Sequence, residues 1–208
     1  MAGSVSETSS RSDTIIDAAE RLFTRFGYRR TVMDDVAGEA GVAKGTLYLY
    51  FDSKAALFRA LQTRNVALAE RLCDEAEARG GTLAERLFGQ LDAWFGMTLD
   101  RYGASGHLPE LSDARTSVGG DIAEAADRAY EARLVRMIET ARVEGEANLD
   151  TADLDAAQVV SALLAAARGA KYRRGKAVAP DTYRTSLRHI AQVFAAAIGN
   201  VDVRRKRD

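Results

Sequence analysis

The sequence predicts a globular, all-α protein, on three observations. Only two prolines occur in 208 residues, Pro109 and Pro180. The long stretches around them repeat apolar residues at spacings of three and four, which is typical of amphipathic helices. Hydrophobic residues make up 47% and charged residues 28% of the chain, as in ordinary globular proteins. Apolar runs of the length that a bilayer requires, about 18 residues, are absent, so we expect no membrane partner.

Three helices are predicted near the N-terminus. Residues 13–26 place their apolar side chains on one face, and Gly27 then ends the helix. A capping box formed by Thr31 and Asp34 predicts a second helix that starts near Val32 and stops at Gly41. A third, short helix is expected over residues 43–50. These three helices form a predicted module over residues 13–53.

The rest of the chain predicts a larger helical domain over residues 54–200. Its first helix covers residues 54–79 and is followed by a continuous helix marked by Leu83, Leu87, Leu91, Trp94, Phe95 and Leu99. Residues 103–120 are expected to be irregular. Further helices are predicted around residues 122–138, 154–172 and 180–198. The terminal segments are expected to be mobile tails: residues 1–12, and residues 201–208 with the basic run Arg204–Arg207.

Cysteine usage and charge indicate a cytoplasmic protein. Cys73 is the single cysteine, so an internal disulfide is excluded and a reducing compartment is expected. The first 13 residues contain no apolar leader segment. The net charge is −1, but residues 11–64 hold nine basic and seven acidic residues, against 20 and 23 in the remainder. This N-terminal excess is small, and a solvated surface explains it equally well.

The two short helices joined by Gly41 and Val42 have the layout of a helix-turn-helix. If Leu47 faces the core, Gly45 and Leu49 lie on the outward face of the third helix. Glycine and leucine are poor choices for a solvated helix surface, so this face is expected to be covered. DNA fits such a surface, since Gly45 permits close approach and Leu49 can contact a thymine methyl. The alternative is a short connecting helix that packs against another helix of the protein.

The residues in and around this module resemble the DNA-binding signature of TetR-family regulators. The matching positions are Gly27, Tyr28, Thr31, Val36, Ala37, Ala40, Gly41, Val42, Lys44, Gly45, Thr46, Leu47, Tyr48, Tyr50, Phe51, Ser53, Lys54 and Leu57. The resemblance implies that Thr31, Lys44, Thr46, Tyr48, Tyr50 and Lys54 line double-stranded operator DNA, with Gly45 and Leu49 on the same helix. Ala43 departs from the family, where many relatives place Ser. Lys54 has separate support, because a lysine beside a helix N-terminus favours a phosphate.

TetR relatives are similar in forming homodimers through their last two helices. The first of those helices is apolar nearly all round, owing to the run Ala162–Leu163–Leu164–Ala165–Ala166–Ala167. This pattern favours burial of the helix against a partner subunit as well as against the chain's own core. A central helix buried wholly within one chain is the alternative. A two-fold dimer predicts a palindromic operator.

The family's ligand pocket lies among the middle helices. Candidate lining residues there are Trp94, Phe95, Met97, Tyr102, His107, Leu111, Tyr130 and Met137. Their aromatic and methionine content favours an apolar or amphipathic small-molecule effector, although each can equally be plain core. By resemblance, the function is repression through operator occupancy, relieved by the ligand, without a cofactor or metal; activation is not excluded by these residues.

Two other classes of protein compete with this interpretation. The sequence offers few candidates for a catalytic site. His107, His189 and Cys73 form no zinc-spaced cluster, and no phosphate loop or nucleophile elbow occurs. A loop histidine, His107, follows Ser105, but ordinary solvent or ligand contacts explain it. An all-helical dimeric interaction protein without DNA binding is the third class, and the intact Lys44, Thr46 and Tyr48 argue against it.

Overall fold

The structure is a computed structural model that describes residues 3–103, 105–150, 153–173 and 176–199. The predicted basic tail, residues 201–208, lies outside the described residues. The chain divides into two compact units. The first contains Met1–Ala67 and Ala104–Ala126, and the second contains Leu68–Gly103 and Asp127–Asp208. The predicted boundary after residue 53 therefore differs from the division that the structure shows.

The first unit opens with three helices: α1, Gly3–Phe26; α2, Met33–Ala40; and α3, Lys44–Tyr50. Helix α1 begins at Gly3, so the prediction of an unstructured tail over residues 1–12 is corrected for residues 3–12. Extending an existing helix costs far less than starting one, and no proline interrupts this segment. Helix α1 packs against α2 and α2 against α3 around buried Phe23, Val36 and Leu47.

The turn between α2 and α3 follows the prediction, whereas the cap of α2 does not. Gly41 takes the left-handed conformation at φ 67°, as a helix C-cap requires. At the other end the N-cap is Val32, and its backbone N–H donates to the Asp35 carboxylate at 3.4 Å. The predicted capping box of Thr31 and Asp34 is therefore wrong by one residue. The Thr31 hydroxyl instead donates to the Gly27 carbonyl oxygen at 2.8 Å.

Residues 103–120 are not irregular, because they contain α7, Leu108–Ser117. Pro109 lies in its first turn, where a proline is tolerated, and only Leu111 and Ala114 are buried, so its apolar pattern is weak. Residues 104–120 belong to the first unit. Helix α4, Lys54–Ala78, contacts them, because Arg59 donates to the Val118 carbonyl oxygen and Gln62 to the Arg115 carbonyl oxygen, both at 3.1 Å. Arg59 pairs with Asp121 at 2.6 and 2.8 Å. That pairing lowers the pKa of Asp121 to about 2.

The second unit is built from the remaining helices and a small hairpin. The helices are α5, Leu83–Leu91; α6, Met97–Tyr102; α8, Gly120–Val143, which begins in the first unit; α9, Ala156–Ala170; and α10, Pro180–Ile198. The strands β1, Tyr172–Arg173, and β2, Lys176–Ala177, pair antiparallel and were not predicted. Helix α10 packs against α5 and α9. The Tyr183 hydroxyl donates to the Ala167 carbonyl oxygen at 3.0 Å and so joins α9 to α10.

A π-helical segment, Asp92–Gly96, interrupts the helix that the sequence predicts as continuous. Leu91 and Leu99 are eight residues apart, which in a regular α-helix leaves them about 80° apart around the axis. The wider turn absorbs an extra residue, so both side chains are buried. Arg184 of α10 bonds to Asp92, the first residue of the π-helical segment, at 2.6 Å and to Asp100 of α6 at 3.0 Å.

Within the described part of the chain, no helix combines the length and the apolar character that crossing a membrane requires.

Candidate nucleic-acid interface

The outward face of α3 agrees with the faces predicted from helical periodicity. Leu47 is fully buried, whereas Leu49 is 86% and Tyr48 44% exposed. Gly45 is exposed too, and a side-chain carbon added there would meet nothing within 4 Å. A leucine exposed to this degree, next to an open glycine and a tyrosine, forms a small apolar patch on a seven-residue helix. Gly45, Tyr48 and Leu49 are named the α3 face below.

Polar side chains border the α3 face. Thr46 and Tyr50 are half-buried, while Lys44 is exposed. The Lys44 ammonium lies 2.8 Å from the Asp34 carboxylate of α2, and this hydrogen-bonded pairing raises the pKa of Lys44. Both side chains are about 60% exposed, so water competes for the pair and Lys44 is free to exchange partners. Ala43 is the N-cap of α3 and supplies no side-chain hydrogen bond.

Lys54 does not point at solvent as a phosphate ligand would. Its ammonium donates to the carbonyl oxygens of Tyr28 at 2.8 Å, Arg29 at 3.2 Å and Thr31 at 2.9 Å. It also lies 4.6 Å from the centre of the Tyr28 ring, a favourable cation–π distance. Burial lowers the pKa of Lys54, and the negative charge of Glu110 opposes that shift. An ammonium has three protons, and here each has a backbone acceptor.

Thr31 lies beneath the surface of the module. The residue is 2% exposed, and its hydroxyl donates to the Gly27 carbonyl oxygen. The structure therefore does not bring Thr31 to the α3 face. Thr31 and Lys54 instead stabilise the loop of residues 27–32 between α1 and α2, named the α1–α2 loop below.

The α1–α2 loop carries two exposed cations, Arg29 and Arg30. Sequence reasoning did not connect this loop to Glu110, whose carboxylate accepts a hydrogen bond from the Arg29 N–H at 2.6 Å. The two residues are 81 positions apart, so no local pattern could have indicated the contact. Tyr28 was part of the matching signature, but its ring contact with Lys54 was not anticipated.

Six of the eight predicted ligand-lining residues belong to the second unit: Trp94, Phe95, Met97, Tyr102, Tyr130 and Met137. The rings of Trp94 and Tyr130 are stacked, with centroids 4.3 Å apart and an interplanar angle of 3°. Phe95 meets Tyr130 edge-on at 6.2 Å. Met137 packs against the same hydrophobic core. The π-helical segment thus presents Trp94 and Phe95 to Tyr130.

A buried amide lies next to this aromatic cluster. Gln90 is 1% exposed, and its side-chain N–H donates to the Cys73 carbonyl oxygen at 2.9 Å. The Tyr130 hydroxyl donates to the backbone carbonyl oxygen of Gln90 at 2.9 Å. The side-chain oxygen of Gln90 accepts no hydrogen bond from the described residues. A buried acceptor in this condition is costly and is suited to a donor from outside the chain.

The remaining two predicted ligand-lining residues lie in the first unit. Leu111 is buried in α7, and His107 precedes that helix with its Nδ1 atom 3.6 Å from the Glu110 carboxylate. The single cysteine is not an activated nucleophile. Burial raises the pKa of the Cys73 thiol to about 12, so it is protonated at neutral pH. Among the described residues, no group of three or more metal-binding side chains is assembled.

Comparisons with known proteins match the N-terminal part of the chain most closely in sequence. Residues 15–61 match the family model of bacterial regulatory proteins of the tetR family. The chain is 42% identical over 66 residues to the HTH-type transcriptional regulator YhgD of Bacillus subtilis (strain 168), covering 32% of this chain and 35% of that protein. It is 44% identical over 46 residues to the biofilm operon icaADBC negative transcriptional regulator IcaR of Staphylococcus aureus (strain Newman), covering 22% and 25%.

The likeness to solved structures extends over most of the chain. A TetR-family transcriptional regulator from Rhodococcus sp. superposes with a TM-score of 0.69 at 22% identity, covering 89% of this chain and 99% of that one. At this identity the match shows a shared fold. The alignment with YhgD covers only about a third of that protein's length. These relatives are transcriptional regulators and not enzymes. The family model places residues 15–61 among the bacterial regulatory proteins of the tetR family, and the fold shared with the solved structure extends over most of the chain.

Proposed function

We propose that this protein is a transcriptional repressor that binds double-stranded operator DNA as a homodimer and is released by a small molecule. The single observation that carries DNA binding is the α3 face, where a leucine 86% exposed adjoins an open glycine. An uncovered apolar patch on a short helix is unfavourable in water, and a DNA groove covers it. The name of IcaR describes that relative as a negative regulator, which supports repression as the sign of the effect here.

The structure supports a narrower contact set than the sequence. Gly45 permits close approach to the major groove, and Leu49 contacts an apolar base edge such as a thymine methyl. Lys44 and Thr46 reach base edges. To do so, Lys44 gives up its ion pair with Asp34 and contacts DNA instead. Tyr48 and Tyr50 donate to phosphates. Thr31 and Lys54 are left out of this set because their polar groups are bonded to the α1–α2 loop.

The last two helices support a homodimer. Ala162 and Ala165 of α9 are exposed, as are Ala196 and Ala197 of α10, and Val193 of α10 is 65% exposed. These small and apolar side chains permit close helix packing against a second copy. A two-fold axis then places two α3 helices about 34 Å apart, or somewhat more, and makes the operator palindromic.

The aromatic cluster supports an effector site in the second unit. We assign Trp94, Phe95, Tyr130 and Gln90 to it, with Met97, Tyr102 and Met137 as further candidates; His107 and Leu111 are not included. An apolar or amphipathic effector with one hydroxyl or amine group fits, because its donor can satisfy the Gln90 side-chain oxygen. Release of the operator requires a coupling of only about 1–3 kcal/mol between the two sites.

DNA binding is tested by selecting bound sequences from a random pool of duplexes. We expect the wild-type protein to enrich a palindrome, with an affinity that falls steeply as salt rises. Leu49→Glu should abolish enrichment without unfolding the protein, because a carboxylate then faces the phosphates. The matched control is Val143→Glu in α8, where the native side chain is 80% exposed. Absence of any enriched sequence at low salt would instead support the interaction-protein class.

The effector site is tested with the only tryptophan of the sequence, Trp94. Compounds that release the selected operator should change Trp94 fluorescence, because the indole is stacked on Tyr130. Those with a hydroxyl or amine group should bind Gln90→Leu about tenfold more weakly, the effect of losing one hydrogen bond of about 1.4 kcal/mol. A compound that releases DNA, leaves Trp94 emission unchanged and binds both proteins equally would contradict this assignment.

A further inference from the structure

The first turn of α7 is fixed to the α1–α2 loop by hydrogen bonds. The Glu110 carboxylate accepts from the Arg29 backbone N–H at 2.6 Å. Just before α7, the Ser105 hydroxyl donates to the Thr24 carbonyl oxygen at 2.6 Å and accepts from the His107 N–H at 3.0 Å. Helix α7 is therefore attached both to the end of α1 and to the loop that follows it.

Gly27 shows how closely the Glu110 carboxylate approaches the α1–α2 loop. Its φ of +85° is a conformation that side chains disfavour, and a side-chain carbon there would lie 2.5 Å from a Glu110 carboxylate oxygen. Only glycine satisfies both conditions. The loop conformation and the carboxylate position are thus fitted to each other.

Arg29 is held from two sides. Its N–H donates to Glu110 of α7, and its carbonyl oxygen accepts from Lys54 of α4. The two contacts reinforce each other, because burial lowers the pKa of Lys54 and the negative charge of Glu110 opposes that shift, which favours the ammonium form. The Arg29 side chain, by contrast, is exposed. A surface cation on a backbone fixed at both ends is suited to contacting a DNA phosphate at a defined position.

We propose that Glu110 is a positioning residue for DNA binding. It fixes the α1–α2 loop in the conformation that aims Arg29 and Arg30 at the phosphate backbone and sets the start of α2. A displacement of the first turn of α7 breaks the hydrogen bond between the Glu110 carboxylate and the Arg29 N–H and loosens this loop. The position of α7 therefore controls the DNA affinity directly. This inference rests on the proposed DNA-binding function and adds a residue 60 positions beyond α3 to it.

The test compares Glu110→Ala with Glu110→Gln on the operator selected by the wild-type full-length chain. Alanine removes the acceptor, and we expect the dissociation constant to rise about tenfold, within the usual range of such couplings. Glutamine retains a carbonyl oxygen for the Arg29 N–H, so its affinity should lie within about threefold of wild type. Asp113→Ala is the matched control, since it removes an exposed carboxylate from the same helix.

Amide hydrogen exchange of residues 27–32, measured without DNA, separates positioning from general destabilisation. Exchange should accelerate in Glu110→Ala and return to the wild-type rate in Glu110→Gln, while exchange in α9 stays constant. Faster loop exchange with unchanged DNA affinity would overturn the proposal, as would unchanged exchange. A wild-type protein that binds no duplex would overturn the proposed function itself, which the wild-type measurement shows before any variant is compared.

Discussion

Gly45→Ala should stabilise the protein and at the same time weaken its binding to DNA. Nothing lies within 4 Å of the added methyl group, and the φ of Gly45 is compatible with alanine. Replacing glycine at such a position in a helix stabilises a protein by about 0.4–1 kcal/mol, which raises the melting temperature by about 1–4 °C at this size. The same methyl projects from the α3 face, where we propose that the groove approaches the backbone. We expect the dissociation constant to rise at least about tenfold, equivalent to about 1.4 kcal/mol.

Thermal denaturation and fluorescence anisotropy on the selected operator measure the two effects in one preparation. Gly38→Ala in α2 is the matched control, because Gly38 is also exposed, helical and open within 4 Å. It should gain similar stability and retain its DNA affinity. Equal affinities for the two variants would show that DNA does not approach α3 at Gly45.

Lys54→Met should destabilise the first unit, which loss of a lysine that only contacts a phosphate would not do. Methionine keeps the apolar stem, but the carbonyl oxygens of Tyr28, Arg29 and Thr31 lose a charged donor. Hydrogen bonds to charged groups contribute about 1.5–3 kcal/mol each, and partial access of water to the loop limits the total loss to about 2 kcal/mol. Urea denaturation should show a lower midpoint, and the affinity for DNA should fall because the α1–α2 loop loosens.

A phosphate-binding lysine would behave differently. Removing it would leave the urea midpoint unchanged and would reduce the slope of log affinity against log salt by about one unit. Lys44→Met is the matched control, because Lys44 is exposed and its partner Asp34 is equally so. We expect Lys44→Met to change the salt slope and the sequence preference with little effect on stability. A Lys54→Met protein with unchanged stability would contradict the role that the structure gives to Lys54.

Local patterns predicted the helices well where one face is clearly apolar. The predicted bounds of α10 agree with the observed Pro180–Ile198, and Gly41 ends α2 as expected. Errors occurred where the local signal is weak or a distant contact decides. Helix α7 buries only two residues. The π-helical segment depends on packing between α5 and α10 and on a hydrogen bond from Arg184, which lies 92 positions from Asp92.

The candidate site shows the same limit. Helical periodicity correctly placed Leu47 inside and Gly45 and Leu49 outside. The family resemblance assigned Lys54 and Thr31 to the DNA surface, and it could not reveal that Lys54 donates to three carbonyl oxygens of the α1–α2 loop. The partner of the α1–α2 loop, Glu110, lies in a segment expected to be irregular, and only the folded chain brings the two together.

Arg184 joins the proposed effector site to the proposed dimer helix. It lies on α10 and bonds to Asp92, the first residue of the π-helical segment that carries Trp94 and Phe95, and to Asp100 of α6 just after that segment. A molecule that repacks this segment therefore changes the support of α10 directly. Binding equilibria linked in this way are reciprocal. The affinity for the effector must then differ between monomer and dimer, and a cell could tune its sensitivity to the signal simply through the amount of regulator it makes.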